Sequence, residues 1–332
     1  MPRPLTLFTG QWADLPLDTM CQKTKEFGYD GLELACWGDH FDVFQGAESK
    51  EYCDDKHAHL AKYGLKTWAI SNHLAGQLVC DPNNDSRSDG FVPKEYRGDA
   101  EKKRQWAVDS MKAAAKAARN MGLDVVPGFT GSPIWHLLYS FPPNDWQDIQ
   151  AGYEFFAKMF IPILDVFKDN GVKFALEVHP TEIAYDIPTT HKALDAIKGH
   201  EAFGFNFDPS HLQWQGIDPV RFLDEFEDRI FHVHMKDCVV LLNGSNGILG
   251  SHLNFGEPGR GWEFCSLGRG DVDFEAIMRK LNQMGYQGPL SVEWEDPNMD
   301  REYGAKDACD YLKTLNYPVP EGLFDEAFSK ND

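Results

Sequence analysis

No stretch of the 332-residue chain approaches the uninterrupted apolar length that a bilayer-spanning helix needs. The opening residues, MPRPLTLFTG, lack the apolar core of a secretory leader, so a cytoplasmic protein is expected. Cysteine is sparse and scattered. The seven cysteines stand at 21, 36, 53, 80, 238, 265 and 309, an odd number with no C-x-x-C pair. That pattern argues against a disulfide framework and fits reduced, buried thiols. Positive charge is scarce as well: 32 Lys and Arg stand against 52 Asp and Glu, a formal net charge of −20. Such a surface repels phosphate backbones and anionic bilayers, so neither nucleic acid nor a membrane is expected as a partner. No G-x-G-x-x-G follows the first apolar run, which argues against a dinucleotide-binding open sheet.

What the chain does have is a repeated junction. Hydrophobic residues make up 42%, enough for a sizeable core, and aromatics 13%, which fits a large core or a sugar-facing cleft. Gly28, Gly64, Gly122, Gly171 and Gly285 each follow an amphipathic stretch and precede a short apolar run, as in EFGYDGLELACW and DNGVKFALEVHP. Glycine suits the left-handed residue that ends a helix, and the run after it reads as the next strand. Eight strands are expected, near 5–9, 31–37, 67–73, 124–130, 173–179, 203–208, 230–236 and 289–295, with helices such as 100–121 and 151–170 between them. Eight such units predict a (β/α)8 TIM barrel. Residues 74–99, 131–147 and 238–270 form long loops after strands 3, 4 and 7, on the face where barrel enzymes build their sites. We expect one catalytic domain over 1–316, carrying the 238–270 insertion, and a tail over 317–332 that docks on a neighbour or frays.

Alternation along four successive strands sorts the polar residues. In FALEVHP, Ala175, Glu177 and His179 lie opposite Phe174, Leu176 and Val178; in FGFNFDPSH, Gly204, Asn206 and Asp208 lie opposite Phe203, Phe205 and Phe207. In FHVHMKD, His232, His234 and Lys236 oppose Phe231, Val233 and Met235; in LSVEWED, Ser291, Glu293 and Glu295 oppose Val292 and Trp294. A lone alternating strand is more often a half-exposed antiparallel edge. In a barrel the apolar face meets the helices, so Glu177, Asp208, His234 and Glu293 enter the lumen together. Three converging carboxylates need raised pKa values, basic partners or a cation. Three oxygens and one nitrogen, with no thiolate, suit a hard or borderline divalent ion: Mn²⁺ first, with Mg²⁺, Co²⁺ and Zn²⁺ as alternatives.

The set ALEVHP, NFDPSH, HVHMKD and SVEWED, with GRGDVDF before the last helices, resembles the sugar phosphate isomerase/epimerase superfamily. These are xylose-isomerase-like barrels that include ketose 3-epimerases and inosose isomerases and dehydratases, and the likeness runs from Leu5 to Leu315. It implies Glu177, Asp208, His234 and Glu293 as metal ligands, Glu177 and Glu293 as the acid/base pair, and His211 at the site. The loop FTGSPIWHLLYSFPP resembles a branch containing catalytic subunits of C-glycoside deglycosidases, which act on 3-keto-glycosides with a small β-rich partner subunit. That second likeness implies His136 as a base. A distant kinship to endonuclease IV barrels implies a richer histidine set than this one, and the charge of −20 argues against it.

The expected activity is therefore that of a divalent-metal-dependent isomerase or epimerase of a keto-sugar or keto-polyol, working by proton abstraction and an enediolate. Elimination from the same enolate is the alternative, as a 3-keto-glycoside lyase or an inosose dehydratase; a non-catalytic metal-binding barrel is the remote one. His179 is expected as a support to a ligand or a substrate contact, and His211 as a substrate contact. Lys236 is expected to be the compensating charge or a salt-bridge partner, and His73, Trp37 and Arg269 the outer substrate contacts. His232 is read as a core histidine, Asp237 as a helix cap or arginine brace, and Asp271 or Asp273 as a helix cap. A homo-oligomer is expected.

Overall fold

The five helix-stopping glycines all take positive φ, between 68° and 91° in the computed structural model, which describes residues 2–318. After each comes a short buried strand, and the strands wrap. They are β1 (Leu5–Phe8), β2 (Gly31–Ala35), β3 (Lys66–Ser71), β4 (Val125–Gly128), β5 (Lys173–Glu177), β6 (Phe203–Phe207) and β7 (Ile230–Met235). β8 (Asp237–Val240) and β9 (Trp262–Cys265) pair antiparallel as a separate hairpin, and β10 (Leu290–Val292) completes the main sheet. The order of that sheet is β3-β2-β1-β10-β7-β6-β5-β4, parallel throughout. Its two ends meet: the Asn72 amide donates to the Pro127 carbonyl at 2.9 Å, bridging the end of β3 to β4. An eight-stranded parallel sheet with helices around it is a TIM barrel, as the repeated junctions predict.

The helices cover the apolar face of each strand. Ala100–Met121 starts on Asp99, whose carboxylate accepts the Lys102 amide at 3.1 Å, and stops on Gly122. Trp146–Asp169 buries Phe156, Phe160 and Phe167. Phe160 packs on Phe174 at 5.6 Å between ring centroids, and Phe174 on Phe203 at 5.8 Å. Full burial of each such ring contributes about 1.5–3 kcal/mol. One cluster of buried apolar side chains runs from Leu5 to Leu312. Among the described residues no helix is long and apolar enough to cross a membrane.

Several boundaries and orientations differ from expectation. The strands stop one to three residues early, because their last residues leave the ladder to build the mouth. His73 opens a helix, His73–Cys80, instead of closing β3, and the polar loop that follows contains two 3-10 turns, Ser86–Phe91 and Lys94–Tyr96. The insertion after strand 7 is organised by the β8–β9 hairpin. Phe231 does not face the helices. The β6–β7 register shifts between Phe205 and Asn206, and Phe231 instead packs with Ala69, Val125 and Ala175, the alternate-parity residues of its neighbours. A bulge breaks the two-residue period that the reading relied on. Asp237 neither caps a helix nor braces an arginine: its carboxylate accepts the amides of Cys238, Gly268, Gly270 and Val272 and so ties down the turn after β9. Asp273 caps the helix Phe274–Gln283, whereas Asp271 accepts the Val240 amide. The expected tail beyond Pro318 lies outside the described residues.

Candidate active site

Four strand ends and one strand interior bring acids and bases to a single point. Glu177 closes β5, Asp208 and Glu293 stand one residue beyond β6 and β10, His234 lies in β7, and Glu33 lies in the middle of β2. One oxygen or nitrogen from each of Glu177, Asp208, His234 and Glu293 lies within 4.8 Å of all the others. All four residues are buried.

Each side chain is held by a distinct set of partners. Glu177 Oε2 accepts from Asn206 Nδ2 at 3.0 Å and His73 Nε2 at 3.2 Å, with His234 Nδ1 at 3.0 Å. Its Oε1 lies 3.0 Å from His211 Nε2. Burial alone would raise this carboxyl, yet the imidazoles of His211, His234 and His73 around it hold it well below the usual carboxylate range. Asp208 caps the short helix Pro209–Gln213, with Oδ1 accepting the Ser210 amide at 2.8 Å and the Ser210 hydroxyl at 2.7 Å. Its Oδ2 has no hydrogen-bond partner. The Lys236 ammonium is 3.1 Å from that oxygen but not aligned to donate to it.

Glu293 accepts from Gln11 Nε2 at 2.7 Å and from Lys236 Nζ at 2.9 Å. Burial opposes its ionisation, but Lys236 and His234 hold it down at about 2. Lys236 also lies 3.5 Å from Glu295 Oε2 and 4.6 Å from the Phe264 ring centre. Burial would lower its ammonium; Asp208, Glu293 and Glu295 raise it well above the ordinary value.

His234 is fixed from both sides. Nδ1 faces Glu177 and Glu293 at 3.0 and 3.1 Å, and Nε2 donates to Glu33 Oε1 at 2.9 Å. Glu33 also accepts from His232 Nε2 at 2.7 Å and from the Ser71 hydroxyl. Phe8 stacks on the His234 ring at 5.2 Å. Burial raises Glu33 and the two imidazoles lower it further, so the net result is a strongly ionised carboxylate. A carboxylate behind a ring nitrogen sets which nitrogen carries the proton and leaves the other free to bind.

Three carboxylate oxygens and one imidazole nitrogen at this spacing, with an unpartnered Asp208 oxygen among them, fit a hard or borderline divalent cation.

The remaining expected contacts divide. His73 and His211 touch Glu177 directly. His179 packs edge-on against His211 at 4.1 Å, its Nδ1 held by the Pro180 carbonyl. Trp37 stands half-buried at the rim, 6.4 Å from the His73 ring. His232 is buried on Glu33 behind the cluster, as a core histidine should be. His136 is exposed, in the 3-10 turn Trp135–Leu137, and lines a neighbouring cavity instead of the ligand cluster. Arg269 corrects the reading outright: its guanidinium is bidentate to Asp307 on the last helix, at 3.0 and 3.1 Å, and no contact joins it to the cluster.

Sequence reasoning missed Glu33, Gln11, Asn206 and Phe264 as parts of the site. Glu33 had a readable signal, an acid between two leucines in GLELA on the same parity as Gly31 and Ala35. Gln11 lies in the 3-10 turn Gly10–Trp12 and Phe264 in the β8–β9 hairpin, and neither had one.

The family described as xylose isomerase-like TIM barrel matches residues 21–315. The uncharacterized protein YfiH of Bacillus subtilis (strain 168) is 26% identical over 327 residues, 93% of this chain and 98% of that protein. The inosose dehydratase of Lacticaseibacillus casei is 35% identical over 184 residues, and that match spans 54% of this chain and 57% of the dehydratase. Three solved structures share the fold. The 3-keto-D-glucoside 4-epimerase YcjR from E. coli superposes with a TM-score of 0.63 at 13% identity, covering 94% of this chain and 99% of that one. A xylose isomerase-like TIM barrel protein from Mycobacterium smegmatis, in complex with magnesium, gives 0.64 at 15% identity over 94% of this chain and 96% of that one. The IOLI protein with a bound zinc atom gives 0.60 at 16% identity over 96% and 100%.

Proposed function

The chain belongs to the xylose isomerase-like TIM barrel family, and from that premise we propose that it is a divalent-metal-dependent isomerase or epimerase of a keto-sugar or keto-polyol. The observation that carries the proposal is the convergence of Glu177, Asp208, His234 and Glu293 within 4.8 Å. Relatives named as epimerases and inosose dehydratases, and related barrels holding zinc or magnesium, support the reading.

In this proposal the four residues would hold a divalent ion, Mn²⁺ or Mg²⁺, whose Lewis acidity would polarise a substrate carbonyl and its neighbouring hydroxyl. Glu177 and Glu293 supply the proton chemistry. Both are held ionised, the form that can accept a proton from the carbon beside the carbonyl. One takes it and the other returns one. His211 and His73 orient Glu177; Gln11 orients Glu293. Lys236 offsets the excess negative charge, and Phe264 shields it from water. The test is solvent-deuterium exchange into a panel of ketoses and inososes after chelation and Mn²⁺ or Mg²⁺ addition. Exchange should vanish and return; full exchange without metal sinks the proposal.

A second reading, elimination from the same enolate, has one observation behind it. His136 lines a cavity that reaches the wall of the site. A histidine there would serve a leaving group, as in a 3-keto-glycoside lyase. Release of the aglycone that stops in His136→Ala, with metal binding intact, favours it; unchanged release rejects it.

A further inference from the structure

A cavity of about 480 Å³, separate from the acidic cluster, lies between the segment after β2, the turn Lys94–Tyr96 and the helix Ala100–Met121. That is the size of a small-molecule site, typically ~300–1,000 Å³, and the proton chemistry does not use it. Five aromatic rings line it: Trp37, Phe41, Phe44, Tyr96 and Trp106. The Trp106 ring centre is 6.4 Å from that of Phe44, at 53°, and 6.2 Å from that of Tyr96, at 38°. Neither neighbour therefore lies flat on Trp106, and the Phe44 ring is itself exposed.

The charge of the lining has one sign. Asp42 and Glu95 are its charged groups, and no lysine or arginine is among the residues that form it. A phosphate or carboxylate placed there would face two acids with no cation to hold it. A sugar would find ring faces but few free hydrogen-bonding groups. Asp42 spends its oxygens on the Phe44 and Gln45 amides and the Gln45 side chain, at 2.9, 3.1 and 2.8 Å. The Ser110 hydroxyl already accepts from Asn72 Nδ2 at 3.1 Å. A bare divalent ion needs a shell of oxygens, which rings cannot supply. An organic cation gains from what remains. Its methyl groups meet the electron-rich ring faces, the exposed Glu95 carboxylate balances its charge, and the net charge of −20 gathers cations at the surface.

We propose that this cavity is a binding site for a small organic cation of the trimethylammonium type, held against Phe44, Tyr96 and Trp106 with Glu95 as its counter-charge. The site stands apart from Glu177, Asp208, His234 and Glu293 and does not depend on the reaction proposed for them.

The experiment titrates choline and 3,3-dimethyl-1-butanol, its uncharged isostere, into the full chain, followed by tryptophan fluorescence and calorimetry. Choline should bind saturably and about fivefold or more tighter than the isostere, the scale of one cation–π contact. Tyr96→Leu and Glu95→Gln should each narrow that ratio. Glu95 is exposed, so its variant keeps the test decisive should Tyr96→Leu fail to fold. Absence of saturable choline binding overturns the site. Equal binding of the isostere overturns it too, because the cavity would then be a plain apolar groove. A ratio that neither variant moves, or tighter binding of glucose than of choline, has the same force. The titration is repeated with Mg²⁺ present. Unchanged choline binding supports a separate site; displacement by the metal would put choline in the acidic cluster and overturn the proposal.

Discussion

Replacing Glu33 with glutamine should weaken divalent-metal binding by about 10–100-fold without any change to a ligand. The carboxylate accepts from His232 at 2.7 Å and from His234 at 2.9 Å, both fully buried. Glutamine keeps the volume but has one acceptor oxygen, so one imidazole must meet an NH₂ group. A ring facing NH₂ has to move its proton to the other nitrogen. For His234 that nitrogen is Nδ1, which faces Glu177 and Glu293, and a protonated Nδ1 cannot ligate. If instead His232 meets the NH₂, His234 still loses the negative charge behind it and becomes a weaker donor of electrons to the ion. A hydrogen bond to a charged group is worth about 1.5–3 kcal/mol, which matches one to two decades of affinity. The assay is Mn²⁺ titration calorimetry on chelator-stripped protein, with circular dichroism showing that the barrel remains. Wild-type affinity in a folded Glu33→Gln variant would refute the reasoning, because Glu33 would then be packing material and not the group that orients His234.

Three further outcomes follow from particular contacts. Phe174→Ala removes a fully buried ring packed between Phe160, Phe167 and Phe203, and should cost about 3–5 kcal/mol in urea unfolding; a loss below ~1 kcal/mol would show that the strand–helix layer repacks freely. Burial and Asp81 raise the Glu182 carboxyl from 4.5 to about 8, against the Thr130 and Gly131 amides that favour its ionised form. The folded protein then keeps a proton that the unfolded chain sheds, so stability is full below about pH 4.5 and falls as the pH rises toward 8, by at most about 3 kcal/mol at pH 7. Glu182→Gln keeps the acceptor and should flatten that slope; identical pH profiles for variant and wild type would contradict it. Arg269→Ala should leave turnover unchanged and stability within ~1 kcal/mol, since it removes only an exposed pair with Asp307; a large rise in KM would return Arg269 to the substrate.

The site was legible where its chemistry follows the local period. Glu177, Asp208, His234 and Glu293 each stand at or just beyond a strand end on the polar parity, so alternation alone places them on the lumen side. The reading broke where the period breaks or where a partner is distant. Phe231 sits at a register shift that alternation cannot anticipate. Arg269 was drawn toward the site because it lies in an insertion near the mouth, and its side chain turns instead to Asp307, 38 residues away. His73 looked like a strand end and is a helix start, which is why its imidazole reaches across to Glu177, 104 residues away.

The sequence by itself determined the eight strands, their helix stops and which face of each strand is polar, because glycine's left-handed turn and the two-residue period are local properties of the chain. It also determined the kind of site, since acids and imidazoles on one face of a closed parallel sheet must meet. Only the tertiary structure decided how that site is held. Glu33 finds His232 and His234 from 199 and 201 residues away, Gln11 finds Glu293 from 282 away, and the hairpin brings Phe264 over Lys236. Those contacts depend on the order of the sheet, in which β1 pairs with β10 and β10 with β7, and on its curling until β3 meets β4, and both are properties of the whole sheet that no single strand encodes.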